Sequence, residues 1–293
     1  MTEQRHAIRQ AIFLSLLMVL LGSTAAAATK YVSAHVATEA IVTVQYFLCT
    51  LLCLPKILRH GIRSLATERL GLHLVRGLAG LAGFYLFYAA LHHIPMMEAM
   101  MLRQSAPLTV PLVMWAWSRE KVAASAWLPL CIGFTGVAII LRPTPLGLSW
   151  WHAGGFLSAL TLAISMVATR KLASTENTAR ILFYYCALSL ACVAPFSFDE
   201  FGDVAAVDWL AMVYVGIAIY LVLDLYTRAY GMAPTAAIAP INYFSVVLAG
   251  FWGWLFWDQV PDGWSVLGSG LVVVGGLTTI YLARERAPPA RPA

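Results

Sequence analysis

The sequence predicts an all-α membrane protein of ten transmembrane helices, arranged as two inverted five-helix repeats. Three observations carry that prediction. Long apolar blocks recur along the chain, basic residues gather in alternate loops, and the two halves match locally in one register.

The apolar blocks come first. The chain has 293 residues, 60% of them hydrophobic and 11% charged, against roughly 25% charged in a soluble domain. So little polar surface cannot cover a water-soluble fold, so lipid must be the solvent for most of the chain. A spanning helix needs roughly 20 mostly apolar residues, and such blocks place helices at 9–30, 37–55, 72–92, 95–117 and 122–141. A second set follows at 151–170, 178–197, 207–229, 234–257 and 263–282. The first block runs on to Ala28, too long for a cleaved signal peptide, and similar blocks follow it. In the third, Gly77, Gly80 and Gly83 recur at three-residue spacing, which lets helices approach closely in lipid. In the fourth, Pro107 and Pro111 each remove an N–H, and Pro240 does so in the ninth. Arg142 to Gly147 forms a Pro/Gly connector between the halves, giving units at 1–143 and 149–286, and the Pro-rich tail at 287–293 reads as disordered. Cys49, Cys53, Cys131, Cys186 and Cys192 all fall inside apolar blocks and read as small hydrophobes.

Charge sets the orientation. With the N-terminus inside, the cytoplasmic segments hold Arg5, Arg9, Lys56, Arg59, Arg63, Arg69, Arg119, Lys121, Arg170, Lys171, Arg180, Arg228, Arg284, Arg286 and Arg291, and Arg76 lies one turn into the membrane on the same side. The outside holds Lys30, Arg142 and the acidic run Asp199, Glu200, Asp203 and Asp208. This asymmetry is the positive-inside pattern, and it places both termini on the cytoplasmic side of the membrane. The net charge of +5 is therefore a topology signal, and no nucleic-acid partner is expected. Trp115, Trp117 and Trp127 mark one interface; Trp150, Trp151, Trp209, Trp252, Trp254, Trp257 and Trp264 mark the other.

The repeat appears at an offset of 139 or 140. Ala28-Thr29-Lys30 falls on Ala168-Thr169-Arg170, Pro55 on Pro195, Ala90 on Ala229, Pro95 on Pro234, Trp115 on Trp254 and Gly136 on Gly275. A five-helix unit has an odd number of spans, so its copy enters the membrane the other way round. Inverted repeats of this kind build secondary transporters, with substrate held near the midplane.

Each half also ends alike, with a helix, a short turn and a small-residue helix. The first reads Trp115-Ala-Trp-Ser-Arg-Glu120, then Pro129, Gly133 and Gly136. The second reads Trp254-Leu-Phe-Trp-Asp-Gln259, then Gly268, Gly275 and Gly276. This layout resembles the EamA-type members of the drug/metabolite transporter superfamily across nearly the whole chain. Gln259 replaces the second of the family's two glutamates, and Pro129 replaces one of its glycines. The resemblance implies transport by alternating access. Within the superfamily, size and Tyr/Trp content look most like bacterial exporters of aromatic and other neutral amino acids.

An ionisable side chain inside a span costs about 2.5–3.5 kcal/mol on insertion scales and marks a functional site by default. Arg103 lies about eight residues into the fourth helix, ~12 Å deep at about 1.5 Å per residue. It would receive a substrate carboxylate, or else pair with Glu98 or Asp224 as a structural network. Gln104 follows it, and the repeat register sets Asn242 and Tyr243 opposite, as further substrate contacts. Pro107, Pro111 and Pro240 lie beside this cluster as hinge candidates or ordinary kinks. Asp224 is a candidate coupling carboxylate, with an (i, i+4) pair to Arg228 as the alternative. Tyr85, Tyr88, Tyr214 and Tyr220 would line the cavity or pack the core.

His92-His93 lacks further ligands at metal spacing, so neither metal nor cofactor is expected. The spans contain no HExxH, no nucleophile elbow and no paired catalytic carboxylates, which argues against an intramembrane enzyme. A channel filter usually comes from rings of identical subunits, whereas one duplicated chain suits a monomeric carrier. Its expected partners are a small-molecule substrate and membrane lipid.

Overall fold

The computed structural model describes residues 2–61, 65–119, 124–141, 149–202, 204–232 and 235–285. Arg63, Glu120, Lys121, the connector at 142–147, Asp203, Pro234, Arg286 and the tail at 287–293 lie outside the described residues. Eleven α-helices account for nearly all of the rest. They are α1 (Thr2–Val32), α2 (Thr38–His60), α3 (Leu70–His93), α4 (Met96–Gln104), α5 (Ala106–Ser118), α6 (Ala124–Leu141), α7 (Trp150–Leu172), α8 (Thr178–Val193), α9 (Ala206–Met232), α10 (Thr235–Trp257) and α11 (Gly263–Glu285). Two 3-10 turns, Ala194–Phe196 and Phe198–Phe201, follow α8. No strand occurs among the described residues.

The fourth span departs from the expected continuous helix over 95–117. It breaks at Ser105 into α4 and α5. Pro107 has no N–H to offer the Arg103 carbonyl, and its ring would crowd that oxygen, so a regular helix cannot pass through this turn. The chain restarts with Pro107 in the first turn of α5, where a missing N–H is harmless. The Ser105 hydroxyl donates back to the Leu102 carbonyl at 2.5 Å, which also accepts the Ser105 N–H at 3.1 Å.

Packing follows the repeat. Exchanging the halves maps α1, α2, α3, α4–α5 and α6 onto α7, α8, α9, α10 and α11. Under that exchange α1 on α9 becomes α7 on α3, α1 on α10 becomes α7 on α4–α5, and α2 on α9 becomes α8 on α3. The pairs α2–α8, α4–α10 and α6–α11 map onto themselves. Two inverted five-helix units joined about one pseudo-twofold axis give this pattern.

The α6–α11 pair shows why small residues recur there. A Cβ on Gly136 would stand 2.5 Å from the Gly268 carbonyl, and one on Gly275 would stand 2.6 Å from the Pro129 carbonyl. These two contacts are repeat counterparts. On α3, Gly77 and Gly80 lie against Leu188 and Tyr185 of α8, and Gly83 lies against Ser158 and Thr161 of α7, so this stripe is a packing seam.

Six described helices are long and apolar enough to cross a membrane by length and composition, and shorter apolar stretches lie in α6, α10 and α11. Large apolar side chains such as Phe13, Leu128, Val247 and Trp150 point outward. Burial cannot account for them, so they meet lipid. The chain is a multi-pass α-helical membrane protein.

Candidate functional site

Arg103 lies in the last turn of α4, at the helix break. Its guanidinium lies over the rings of Phe84 and Phe87 of α3, 4.6 and 4.7 Å from their centroids. One terminal nitrogen donates to the Gly83 carbonyl at 2.9 Å. Among the described residues no carboxylate pairs with it. Both acids proposed for a structural network are held elsewhere. Glu98 takes His152 Nε2 at 2.8 Å and the Ser265 hydroxyl at 2.5 Å. Asp224 takes Lys56 at 2.5 Å and Arg228 at 2.7 Å. A half-buried cation without a counter-ion is expensive in hydrocarbon, and ring faces and one carbonyl neutralise none of its charge.

Behind Arg103 runs a layer of hydroxyls and rings. Tyr46 of α2 and Tyr185 of α8 share a hydrogen bond of 2.7 Å. Phe84 meets Tyr46 and Tyr88 edge-on, at 6.3 and 5.7 Å between centroids. Tyr88 is fully buried and donates to Gln45 Oε1. On the far side of Tyr185, the Arg76 guanidinium lies 3.9 Å over its ring and donates to the Ser165 hydroxyl of α7.

The repeat register is visible in the next pair. Gln104 Nε2 donates to the Asn242 carbonyl of α10 at 2.9 Å, so the fourth and ninth spans do converge here. Tyr243 turns away from Gln104. Its hydroxyl packs on Gly276 of α11, where a Cβ would sit 1.8 Å from the oxygen, and it is buried without a hydrogen-bond partner among the described residues. Pro111 lies inside α5 and Pro240 within the residues of α10.

Two cavities open at one end of the bundle. The larger, about 410 Å³, is lined by Tyr85, His92, His93, Trp150 and Trp151. There His93 stacks on Trp151 at 3.5 Å, and Tyr85 donates to Glu39 Oε1 at 2.5 Å. The second, about 330 Å³, is lined by Glu98, Gly250, Gly253, Asp258, Gln259 and Ser265. Both fall near the size of small-ligand pockets. Gln259, at the family's glutamate position, bonds to the Met96 N–H at 3.0 Å and so holds the start of α4.

The remaining candidates lie apart from Arg103. Tyr214 hydrogen-bonds Thr24 at 2.5 Å on an exposed face. Tyr220 sits beside Lys56, 5.6 Å from its ring centroid, in the Asp224 cluster. Sequence reasoning missed His152, Ser265, Gln45, Tyr46 and Tyr185, and it took Arg76 as a topology signal only. One of these carried a usable mark, since Tyr46 falls on Tyr185 at the repeat offset.

Comparison with known proteins gives a consistent picture. The model of a family described as the EamA-like transporter family matches residues 9–142 and 149–281. A pseudopaline exporter, CntI, of Pseudomonas aeruginosa is 27% identical over 91% of this chain and 94% of its own length. A riboflavin transporter of Rhizobium johnstonii is 29% identical over 83% and 82%. An S-adenosylmethionine uptake transporter of Rickettsia bellii is 22% identical over 88% of each. One solved crystal structure superposes with a TM-score of 0.63 at 20% identity, covering 94% of this chain and 99% of that one.

Proposed function

Because the chain belongs to the EamA-like transporter family, and is thus a membrane metabolite transporter, we propose that its cargo is carboxylate-bearing: amino acids leaving the cell, aromatic and other neutral ones among them. The observation that carries this reading is the Arg103 guanidinium at the α4–α5 break, unmatched by any described carboxylate and flanked by Phe84 and Phe87. A substrate carboxylate supplies the missing counter-charge through a charge-assisted bond. Phe84, Phe87 and the Tyr85–Trp151 cavity offer apolar faces for a side chain, and Gln104 and Asn242 offer polar groups beside the break.

On this reading the site is exposed to each side in turn as the two halves rock about the pseudo-twofold axis, with the turn at Ser105 to Pro111 and Pro240 as hinges. A single chain suffices, because every pair in the symmetric packing is internal to it. Alternate basic loops put both termini in the cytoplasm of a bacterial inner membrane, which makes the end holding both cavities the outer one.

Relatives of similar likeness are named for export and for uptake of different metabolites, so cargo and direction both need measurement. The test is counterflow in liposomes of the purified protein, with labelled phenylalanine, leucine and glutamine. It is joined to amino-acid accumulation outside cells that make the protein. Saturable exchange and external accumulation are expected. Absence of both with folded protein would remove amino acids as the cargo and leave the transporter fold intact.

A further inference from the structure

We propose that Arg76 forms a second carboxylate subsite, so that the carrier prefers substrates with two acidic groups over neutral ones of equal size. The inference rests on the reading of Arg103 as the first subsite.

Both guanidiniums lie along one face of α3. Arg103 donates to the Gly83 carbonyl. Arg76 reaches Gly80, where a Cβ would meet its Nη1 at 2.8 Å. Those glycines are one helical turn apart, so about 5 Å of helix separates the two charges' footholds. The Tyr185 ring lies 3.9 Å under the Arg76 guanidinium. Arg76 lies inside the bundle, between Ser165 of α7 and the Tyr185 ring of α8. Its Nε is buried with no hydrogen-bond partner among the described residues. Like Arg103, it pairs with no described carboxylate. The described acids nearest the core are already engaged, Glu98 by His152, Asp224 by Lys56 and Arg228, Glu176 by Arg180. Two positive charges therefore lack a carboxylate partner among the described residues.

The repeat adds a second argument. At the offset of 139 that joins Tyr46 to Tyr185, the counterparts of Arg76 and Arg103 are Val215 and Asn242. A cation needed only to hold the bundle would serve both halves. These two serve one, which suits an asymmetric cargo.

The experiment is inhibition of phenylalanine counterflow by glutamate and by glutamine, a pair of near-equal size differing by one carboxylate. One charge-assisted hydrogen bond predicts inhibition by glutamate at concentrations about ten-fold lower. That ratio should fall to about one in Arg76→Gln and return in Arg76→Lys. A ratio near one in the parent, or an unchanged ratio in Arg76→Gln, overturns this inference alone. No amino-acid exchange by the folded parent overturns the Arg103 reading and this one with it. A parent ratio near one overturns the inference even where Arg76→Gln does not fold.

Discussion

The hydroxyls of Tyr46 and Tyr185 meet at 2.7 Å across 139 residues, the interval that lays one half of the chain on the other. Each residue is the other's repeat counterpart. A residue can touch its own counterpart only at the symmetry axis, so this bond marks the centre about which the two units are arranged. The rings stand edge-on, 5.4 Å apart, and both side chains are fully buried.

Breaking that bond from one side leaves a buried hydroxyl without its mate, which costs about 1–3 kcal/mol. Tyr46→Phe and Tyr185→Phe should each lower thermal stability in detergent. The double variant should lose less than the sum, because it removes both partners. Additive losses in a double-mutant cycle would mean the hydroxyls do not act as a pair.

Arg103→Ala should abolish amino-acid exchange while the protein remains folded. Losing one partner of a desolvated charged contact costs about 2–5 kcal/mol, ~30-fold or more in affinity. Full exchange by the variant would rule out Arg103 as a substrate contact.

Gly275→Ala places a methyl 2.6 Å from backbone atoms of α6, and overpacking of this kind costs about 1–3 kcal/mol. Gly270, on the same helix, has nothing within 4 Å, so Gly270→Ala should be neutral or slightly stabilising. Melting temperatures of the two variants compared with the parent provide the check; equal values would mean that α6 and α11 do not need this close approach.

Glu176 lies in the loop between α7 and α8, with its carboxylate almost completely buried. Burial pushes its proton affinity up, but the Thr67 hydroxyl at 2.6 Å and the Arg180 guanidinium more than reverse this, leaving the carboxyl below its ordinary value. A depressed folded value gives stability that is complete above the unfolded pKa of about 4.3 and is lost as pH falls through the folded one. Melting curves from pH 6 downward should show that loss, and Glu176→Gln should flatten it. An unchanged acid limb in the variant would exclude this carboxylate as its source.

Asp224 carries two cations, Lys56 and Arg228, and removing its charge leaves both without their partner. Asp224→Asn should therefore lower stability yet keep the parent's pH profile of exchange. A profile that becomes flat in the variant would instead assign Asp224 the coupling role.

Much of this architecture is written in local pattern. The sixth span, expected at 151–170, is α7, Trp150–Leu172, because span length follows from bilayer thickness. The offset of 139 sets Arg103 and Gln104 against Asn242 and Tyr243, and within that group Gln104 meets the Asn242 carbonyl. The fourth span shows the limit. Pro107 and Pro111 announced irregular backbone, but whether a proline bends or breaks a helix depends on neighbours that satisfy the freed carbonyls. The Glu98–His152–Ser265 cluster was invisible for a related reason. Its members come from α4, α7 and α11, and no spacing along one chain reports a meeting of three helices.

The unanswered charge on Arg103 also has an electrical meaning. Moving one elementary charge through a full membrane potential changes its energy by about 2.3 kcal/mol per 100 mV. A net anion bound there would leave the Arg103 site close to electrically silent, whereas a zwitterionic amino acid brings an ammonium with its carboxylate and leaves the site's net charge unchanged. Emptied, it presents a bare cation to the field. Voltage would then act alike on the loaded and the empty carrier when the cargo is a zwitterion, and far more on the empty one when it is a net anion, so the voltage dependence of turnover would read the net charge of the cargo without any ion binding at a separate site.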